Sequence, residues 1–461
     1  MTPRLSAPAR SLGLKLILVG ALAFLLWLPA MMIYALVWER SNRADTVQNE
    51  IYAQSGGRQL IAGPFLIAPA QIDTGRTDAN GAPVIRRTSV IFTPQTLDIG
   101  GDVATERRQR SIYDATVYET TLTLSGRFAA LTPPASADGA VTVFWEQASL
   151  AVKLGANENL KGLRERPALT VDTVVADDIT FEPGLGAGVA RGDGGGEWLA
   201  RLPGLSAPFA LAEKKDGFSF SLVMPLSGGG ALNFAPVGEN TRVELTSRWP
   251  HPGFQGAYSP DRRAIGADGF SAEWRIPYLA RNLPRAFFSD GDLSILDHDK
   301  TFGVEFVSTD SPYQSVNRAL KYALMFLGLV FLTFFLFEAT MGGRAHPAQY
   351  ILLGLTQVIF YLLVLALAEH IGFENAFAGT AGATVLLSGW YAATVFRSVL
   401  RGLIALFAFA GAYGLIYLLM KSEDYALLIG SVTAFGAIAL TMAVTRNIDW
   451  YGARAEQQAG P

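Results

Sequence analysis

The sequence predicts a membrane protein: one N-terminal anchor helix, a large all-β domain of sandwich-like, possibly two-lobed form, and a C-terminal bundle of five transmembrane helices. Three observations carry this. Residues 16–37 are an unbroken uncharged apolar run. Residues 38–318 have the composition of an ordinary soluble domain, with repeated period-two alternation. Beyond Tyr322, apolar runs dominate to about Val444. Crossing a hydrocarbon core of ~30 Å takes roughly 20 apolar residues in a helix.

The first element opens with Arg4, Arg10 and Lys15, the basic start shared by cleaved signals and signal-anchors. A cleaved signal has an apolar region of only ~7–15 residues and then a small-x-small site. Here Ala21-Leu22-Ala23 lies inside the run, so an uncleaved anchor is expected, with a cleaved signal as the alternative. Residues 39–54 are polar and prolong that helix as a short stalk.

The middle element is read from its alternation. Tyr118, Thr120, Leu122, Leu124 and Phe128 share one face of an extended chain. The same pattern holds for Phe218/Phe220/Leu222/Met224, Val243/Leu245/Ser247/Trp249, Phe270/Ala272/Trp274/Ile276 and Phe302/Val304/Phe306. Such runs are strands buried on one side, in antiparallel sheets. Asn80-Gly81 and Asp216-Gly217 supply turn signals. A division into two lobes is expected near 160–215. The glycines there (184–188 and 194–196) lack the spacing of a phosphate-cradling loop and read as loop, as does Arg191-Gly192-Asp193.

The last element divides into spans at about 322–337, 350–368, 376–396, 402–420 and 425–444. With residues 1–15 inside, the short inner segments hold Arg344, Arg397, Arg401, Arg446 and Arg454. The short outer segments hold Glu369, Glu374, Glu423 and Asp424, with Lys421 their only base. The positive-inside rule then places both termini, including the tail 445–461, in the cytoplasm and the β-domain outside. Trp38, Tyr350, Tyr425, Trp450 and Tyr451 fall at span ends, where aromatic rings anchor.

Composition excludes several functions. There is no cysteine, hence no disulfide, thiolate nucleophile or iron–sulfur cluster. The β-domain holds 27 basic and 33 acidic residues, the wrong sign for a nucleic-acid partner. No H-E-x-x-H or G-x-S-x-G motif occurs, and no catalytic, cofactor-binding or metal-ligating residue is assigned. The acidic stretch 289–299, with His298, lacks the calcium-loop offsets and reads as a solvated loop. A metal-dependent outer enzyme would need His298 and those aspartates to converge with a further ligand.

Three residues remain as functional candidates. Glu369 and His370 adjoin at the outer end of the span 350–368, where they can form a proton-linked or ligand-contacting pair or simply mark the interface. His251 sits in the rigid turn Trp249-Pro-His-Pro252. Within the expected spans there is no Asp, Glu, Lys or Arg, and Gln357 is the most polar side chain mid-span. That argues against an ion-coupled transporter, which carries ionisable groups near the midplane. Small residues spaced by four, Ala378/Gly382 and Ala410/Gly414, predict close helix approach.

Several stretches, in order, resemble one family: Gln59-Leu-Ile-Ala-Gly-Pro-Phe-Leu-Ile-Ala-Pro69, Ser247-Arg-Trp-Pro-His-Pro-Gly-Phe-Gln-Gly256, Lys321-Tyr-Ala323 with Phe334-Phe-Leu-Phe-Glu338, His346-Pro-Ala-Gln-Tyr350 with Leu365-Ala-Leu-Ala-Glu-His370, and Thr445-Arg-Asn-Ile-Asp-Trp-Tyr451. They resemble the CreD inner-membrane proteins over nearly the whole chain. The chain departs from that pattern in the glycine-rich loop near 184–196 and the short tail after Tyr451. The resemblance implies a bacterial inner-membrane protein with a periplasmic β-domain, tied to cell envelope integrity, to a sensor-kinase/response-regulator system and to carbon-source and β-lactam response. It implies no reaction and supplies no catalytic residue. The function expected is binding of an envelope component or membrane-protein partner through the β-domain, without catalysis or cofactor, with the lipid bilayer as the constant partner. The alternative is handling of lipid or lipid-linked substrates through the helix bundle.

Overall fold

A computed structural model describes residues 12–77, 81, 83–155, 160–176, 179–185, 202–211, 214–281, 283–289, 300–307, 312–341, 345–421 and 425–446. The chain divides into two compact units, Asp45–Thr309 and the combination of Met1–Ala44 with Asp310–Pro461.

The first unit is β-rich. Its ten-stranded sheet is organised by one long strand, Gln59–Thr77. The start of that strand pairs in parallel with Ala231–Phe234, its middle antiparallel with Ser149–Lys153, and its outer half with Pro83–Phe92. The eight-stranded sheet runs in the order Arg262–Gly266, Gly269–Ile276, Asn240–Ser247, Thr96–Arg110, Tyr113–Phe128, Phe218–Gly229, Ala168–Val171, Val174–Val175. The alternating runs read from the sequence are the inner faces of these strands. Val243, Leu245, Leu222, Met224, Leu122 and Trp274 are all buried. Polar residues between them face outward, which is how a half-buried antiparallel sheet separates its two sides.

Two details differ from expectation. The sheets are not purely antiparallel, since Asn240–Ser247 runs parallel to Thr96–Val103 residue for residue. The region 160–215 is not a divide either. It sends Ala168–Val171 to the eight-stranded sheet and Gly204–Pro208 to the ten-stranded one. One apolar core contains side chains of both sheets. Within it Phe254, Phe270, Trp274 and Phe302 form a cluster of edge-on and tilted rings, the arrangement that ring quadrupoles favour.

The helices are α1 (Leu12–Gln54), α2 (Tyr278–Arg281), α3 (Pro312–Lys321), α4 (Ala323–Met341), α5 (Pro347–Ile371), α6 (Phe373–Val395), α7 (Val399–Lys421) and α8 (Ala426–Thr445). The stalk is continuous with the anchor, because α1 spans 43 residues. Among the described residues, five helices are long and apolar enough to cross a membrane: α1, α4, α5, α7 and α8. Four of these are C-terminal, where the sequence predicts five. The helix expected at 376–396 is present as α6, 23 residues long. It is less apolar than its neighbours because it carries Glu374, Asn375, Thr380, Thr384 and Ser388.

In the helical unit, α5 packs on α6, α6 on α7, and α4 on α7 and α8. The start of α5 is well specified. His346 and Gln349 form a reciprocal capping box around Pro347. A proline costs nothing there, since its missing N–H has no helical partner. The small residues behave differently from expectation. Ala378, Gly382, Ala410 and Gly414 are exposed, and a Cβ at Gly382 or Gly414 would meet nothing within 4 Å. Close approach occurs elsewhere. A Cβ at Gly354 would come within 2.3 Å of Leu26, and one at Gly402 within 2.4 Å of the Ala393 Cβ.

Candidate functional site

Polar side chains buried in the helical unit are arranged along α5. Tyr350, Gln357 and Tyr361 are spaced by seven and four residues, which places them on one face of a helix. All three are almost fully buried. Glu369 ends the stripe.

At the start of α5 the central group is Glu338 of α4. One carboxylate oxygen accepts from the Lys15 ammonium of α1 and from the Ala345 backbone N–H at 2.9 Å. The other accepts the Tyr350 hydroxyl at 3.0 Å. Lys15 also donates to the Ala345 carbonyl at 2.7 Å. The Glu338 side chain is 4% exposed, and these partners offset the cost of burying it. Both residues adjoin the expected charge-free spans: α4 continues through Glu338 to Met341, and α1 includes Lys15. The sequence signal was the unbroken Phe334–Met341 stretch, which has no helix stop before the acid.

Midway along α5, Gln357 accepts the Tyr413 hydroxyl of α7 at 2.6 Å. Phe326 and Phe360 meet the Tyr413 ring edge-on at 4.9 Å and 4.7 Å. Along α5 and α6 the Gln357 amide nitrogen, the Tyr361 hydroxyl and the hydroxyls of Thr380 and Ser388 are buried without a hydrogen-bond partner. Gln357 was legible in the sequence. Tyr361, Tyr413 and Ser388 were not, because nothing in a single sequence says which face of each helix turns inward.

At the far end of α5, Glu369 accepts the Tyr313 hydroxyl of α3 at 3.0 Å, and the Arg40 guanidinium of α1 lies 4.0 Å away. The neighbouring His370 is exposed. Consecutive helix residues point in different directions, and Glu369 is turned toward Tyr313. Close by, Lys421 pairs with Glu374 across α7 and α6.

The β-unit offers a different feature. Helix α2 is a four-residue turn pinned to the domain. The buried Arg281 guanidinium donates to the Val237 carbonyl and to the Thr93 hydroxyl. Burial lowers the pKa of this guanidinium to about 10. Tyr258 donates to the Ala280 carbonyl at 2.8 Å. Held this way, Leu279 is 90% exposed, more than any other large apolar side chain among the described residues. Tyr278, Leu279, Leu283 and Pro284 line a crevice of about 330 Å³ beside it.

His251 is exposed at the head of the strand Pro252–Gly256. Its backbone carbonyl, rather than its ring, is engaged, accepting the Trp249 indole N–H at 3.1 Å. The Arg107 guanidinium covers the Trp249 ring at 5.5 Å. Among the described residues there is no group of three His, Asp or Glu side chains placed to hold a metal. The acidic stretch 290–299 with His298, and residues 186–201 with Arg191-Gly192-Asp193, lie outside the described residues.

An apolar N-terminal helix, a β-rich unit with one core, and a set of long apolar helices with buried polar pairs define an integral membrane protein. The chain belongs to the CreD family: the family model described as inner membrane protein CreD matches residues 11–451. It is 31% identical over 437 residues to inner membrane protein CreD of Escherichia coli strain K12, covering 94% of this chain and 92% of that one.

Proposed function

We propose that the chain is a non-catalytic inner-membrane protein of envelope integrity and stress response, whose β-domain lies in the periplasm and binds an envelope component or partner protein. In this reading residues 38–318 are the periplasmic domain, α6 crosses the membrane with the other helices, and both termini are cytoplasmic. The distribution of arginines over the short segments supports the orientation. The helices between 322 and 444 serve as anchor and relay. The observation that carries the binding role is Leu279, an apolar side chain held out to solvent by Arg281 and Tyr258. An apolar side chain fixed in the open beside a crevice gains free energy when a partner covers it.

A photo-crosslinking residue at position 279 of the full chain, in cells, tests this. The reading expects a defined envelope adduct that is absent with the crosslinker at exposed Val174 on the opposite sheet edge. Equal, diffuse labelling at both positions would overturn it. So would turnover of a peptidoglycan or lipid substrate that a point mutation abolishes.

The unpartnered polar groups buried in α5 and α6 favour a second reading, handling of lipid or lipid-linked substrates by the bundle, with Glu369 and His370 at its outer rim. Unchanged envelope phenotype in the double variant Glu369→Ala, His370→Ala would remove those two residues from it. His251 is retained as a candidate contact of the β-domain on its exposure alone.

A further inference from the structure

Between α5 and α6 a crevice of about 110 Å³ is lined by Leu352, Leu353 and Thr356 on one side and Leu387, Ser388 and Tyr391 on the other. Its mouth lies on the outer surface of the helices, where Leu352 and Leu387 are 55% and 51% exposed. Its volume approaches that of apolar protein cavities, ~150 Å³, that hold a small hydrocarbon. Yet its wall is not purely apolar. The Ser388 hydroxyl is buried with no hydrogen-bond partner. Thr356 satisfies its own donor on the Leu352 carbonyl at 2.9 Å. Ser388 and Tyr391 are three residues apart and share a helix face. In hydrocarbon a hydroxyl without an acceptor is costly, and bulk water is absent to relieve it.

The acceptor must therefore come with whatever fills the crevice. Position narrows the choice. Tyr391 lies four residues from the end of α6 at Val395, about 6 Å along the axis, and Ser388 about 10 Å. With α6 crossing the membrane as proposed above, that is the zone beneath the headgroups where acyl chains begin. Two residues beyond the helix end stands Arg397, exposed and held at φ 48° in the turn to α7. Apolar walls, two hydroxyl-bearing residues and an arginine beyond the helix end thus offer partners for a lipid's acyl chain, ester carbonyls and phosphate.

We propose that the α5–α6 crevice is a binding site for one anionic glycerophospholipid, with an acyl chain against Leu352 and Leu387, ester carbonyls accepting from Ser388 and Tyr391, and the phosphate on Arg397. The site requires neither the partner-binding nor the lipid-handling reading. It rests on the proposed crossing of the membrane by α6, and its leaflet, the cytoplasmic one, on the orientation proposed above.

The test uses the delipidated full chain in detergent and native mass spectrometry. Three probes are titrated: a diester phosphatidylglycerol, its dialkyl-ether analogue without carbonyls, and glycerophosphoglycerol without chains. The site predicts one diester lipid retained and about tenfold weaker binding of the ether analogue, the loss expected from two hydrogen bonds. The chain-free headgroup should bind far more weakly still. In Ser388→Ala, Tyr391→Phe the ester and ether lipids should become equal, and Arg397→Gln should remove the preference for phosphatidylglycerol over phosphatidylcholine. Equal binding of ester and ether lipids by the unmodified chain overturns the proposal without reference to any variant. Binding of the headgroup as tight as the whole lipid overturns it as well.

Discussion

The Glu338 carboxylate divides its two oxygens between a cation and a phenol: Lys15 of α1 on one, the Tyr350 hydroxyl of α5 on the other. Three helices thereby converge on one buried charge. Removing one partner of such a pair leaves the other charged and desolvated, at about 3–5 kcal/mol. Glu338→Ala and Lys15→Ala are each expected to lower the midpoint of thermal unfolding in detergent strongly. The double variant should lose much less than the sum. Additive losses would mean that the two side chains do not interact.

Helix packing gives a paired prediction. Gly402→Ala would push a methyl to 2.4 Å from the Ala393 Cβ, so it should cost about 1–3 kcal/mol. Gly414→Ala meets nothing, and replacing a helical glycine should instead stabilise by up to about 1 kcal/mol. Opposite signs in the same melting assay check the contrast.

Leu279→Asp should leave thermal stability within about 0.5 kcal/mol of the parent, since the side chain touches water. It should abolish the partner adduct formed from a crosslinker placed at Tyr278. Arg281→Met should do the reverse to stability, because it strips the Val237 carbonyl of its donor and withdraws the support of the knob.

Acid sensitivity of the β-domain should trace in part to Glu273. Its carboxylate accepts from Arg275 at 2.7 Å and from Arg242 at 2.8 Å, and the Arg275 hydrogen bond leads in holding its pKa below the ordinary glutamate range. A carboxyl with a depressed folded pKa takes up protons more readily when unfolded. Its contribution is therefore complete above the unfolded pKa, near 4.3, and is lost as pH falls through the folded one. Unfolding midpoints measured from pH 7 down to about 3 should fall less steeply in Glu273→Gln than in the parent over that acid interval.

The strands were legible because burial on one face leaves a period of two that no pairing detail disturbs, as in Val243, Leu245 and Ser247. The parallel pairing of that strand with Thr96–Val103 was not, since alternation is the same for either neighbour direction. In the helices, Ala378/Gly382 and Ala410/Gly414 mark a face by spacing, but spacing does not say whether the face meets protein or lipid. Glu338 was missed for a related reason. An acid near the end of an apolar run reads as the end of the run unless its partner, 323 residues earlier in the sequence, is known. Helix α2, one turn long, leaves no periodicity to find.

The central proposal is that the β-domain lies outside the cytoplasm and that the short segments carrying the arginines lie inside it. The chain contains no cysteine, so a single introduced thiol reports its own location. Leu279→Cys and Arg397→Cys, each treated with a membrane-impermeant maleimide on intact spheroplasts and again after permeabilisation, measure this directly. The account predicts labelling at 279 in intact spheroplasts and at 397 only after permeabilisation; labelling at 397 with protection at 279 in intact spheroplasts would contradict it.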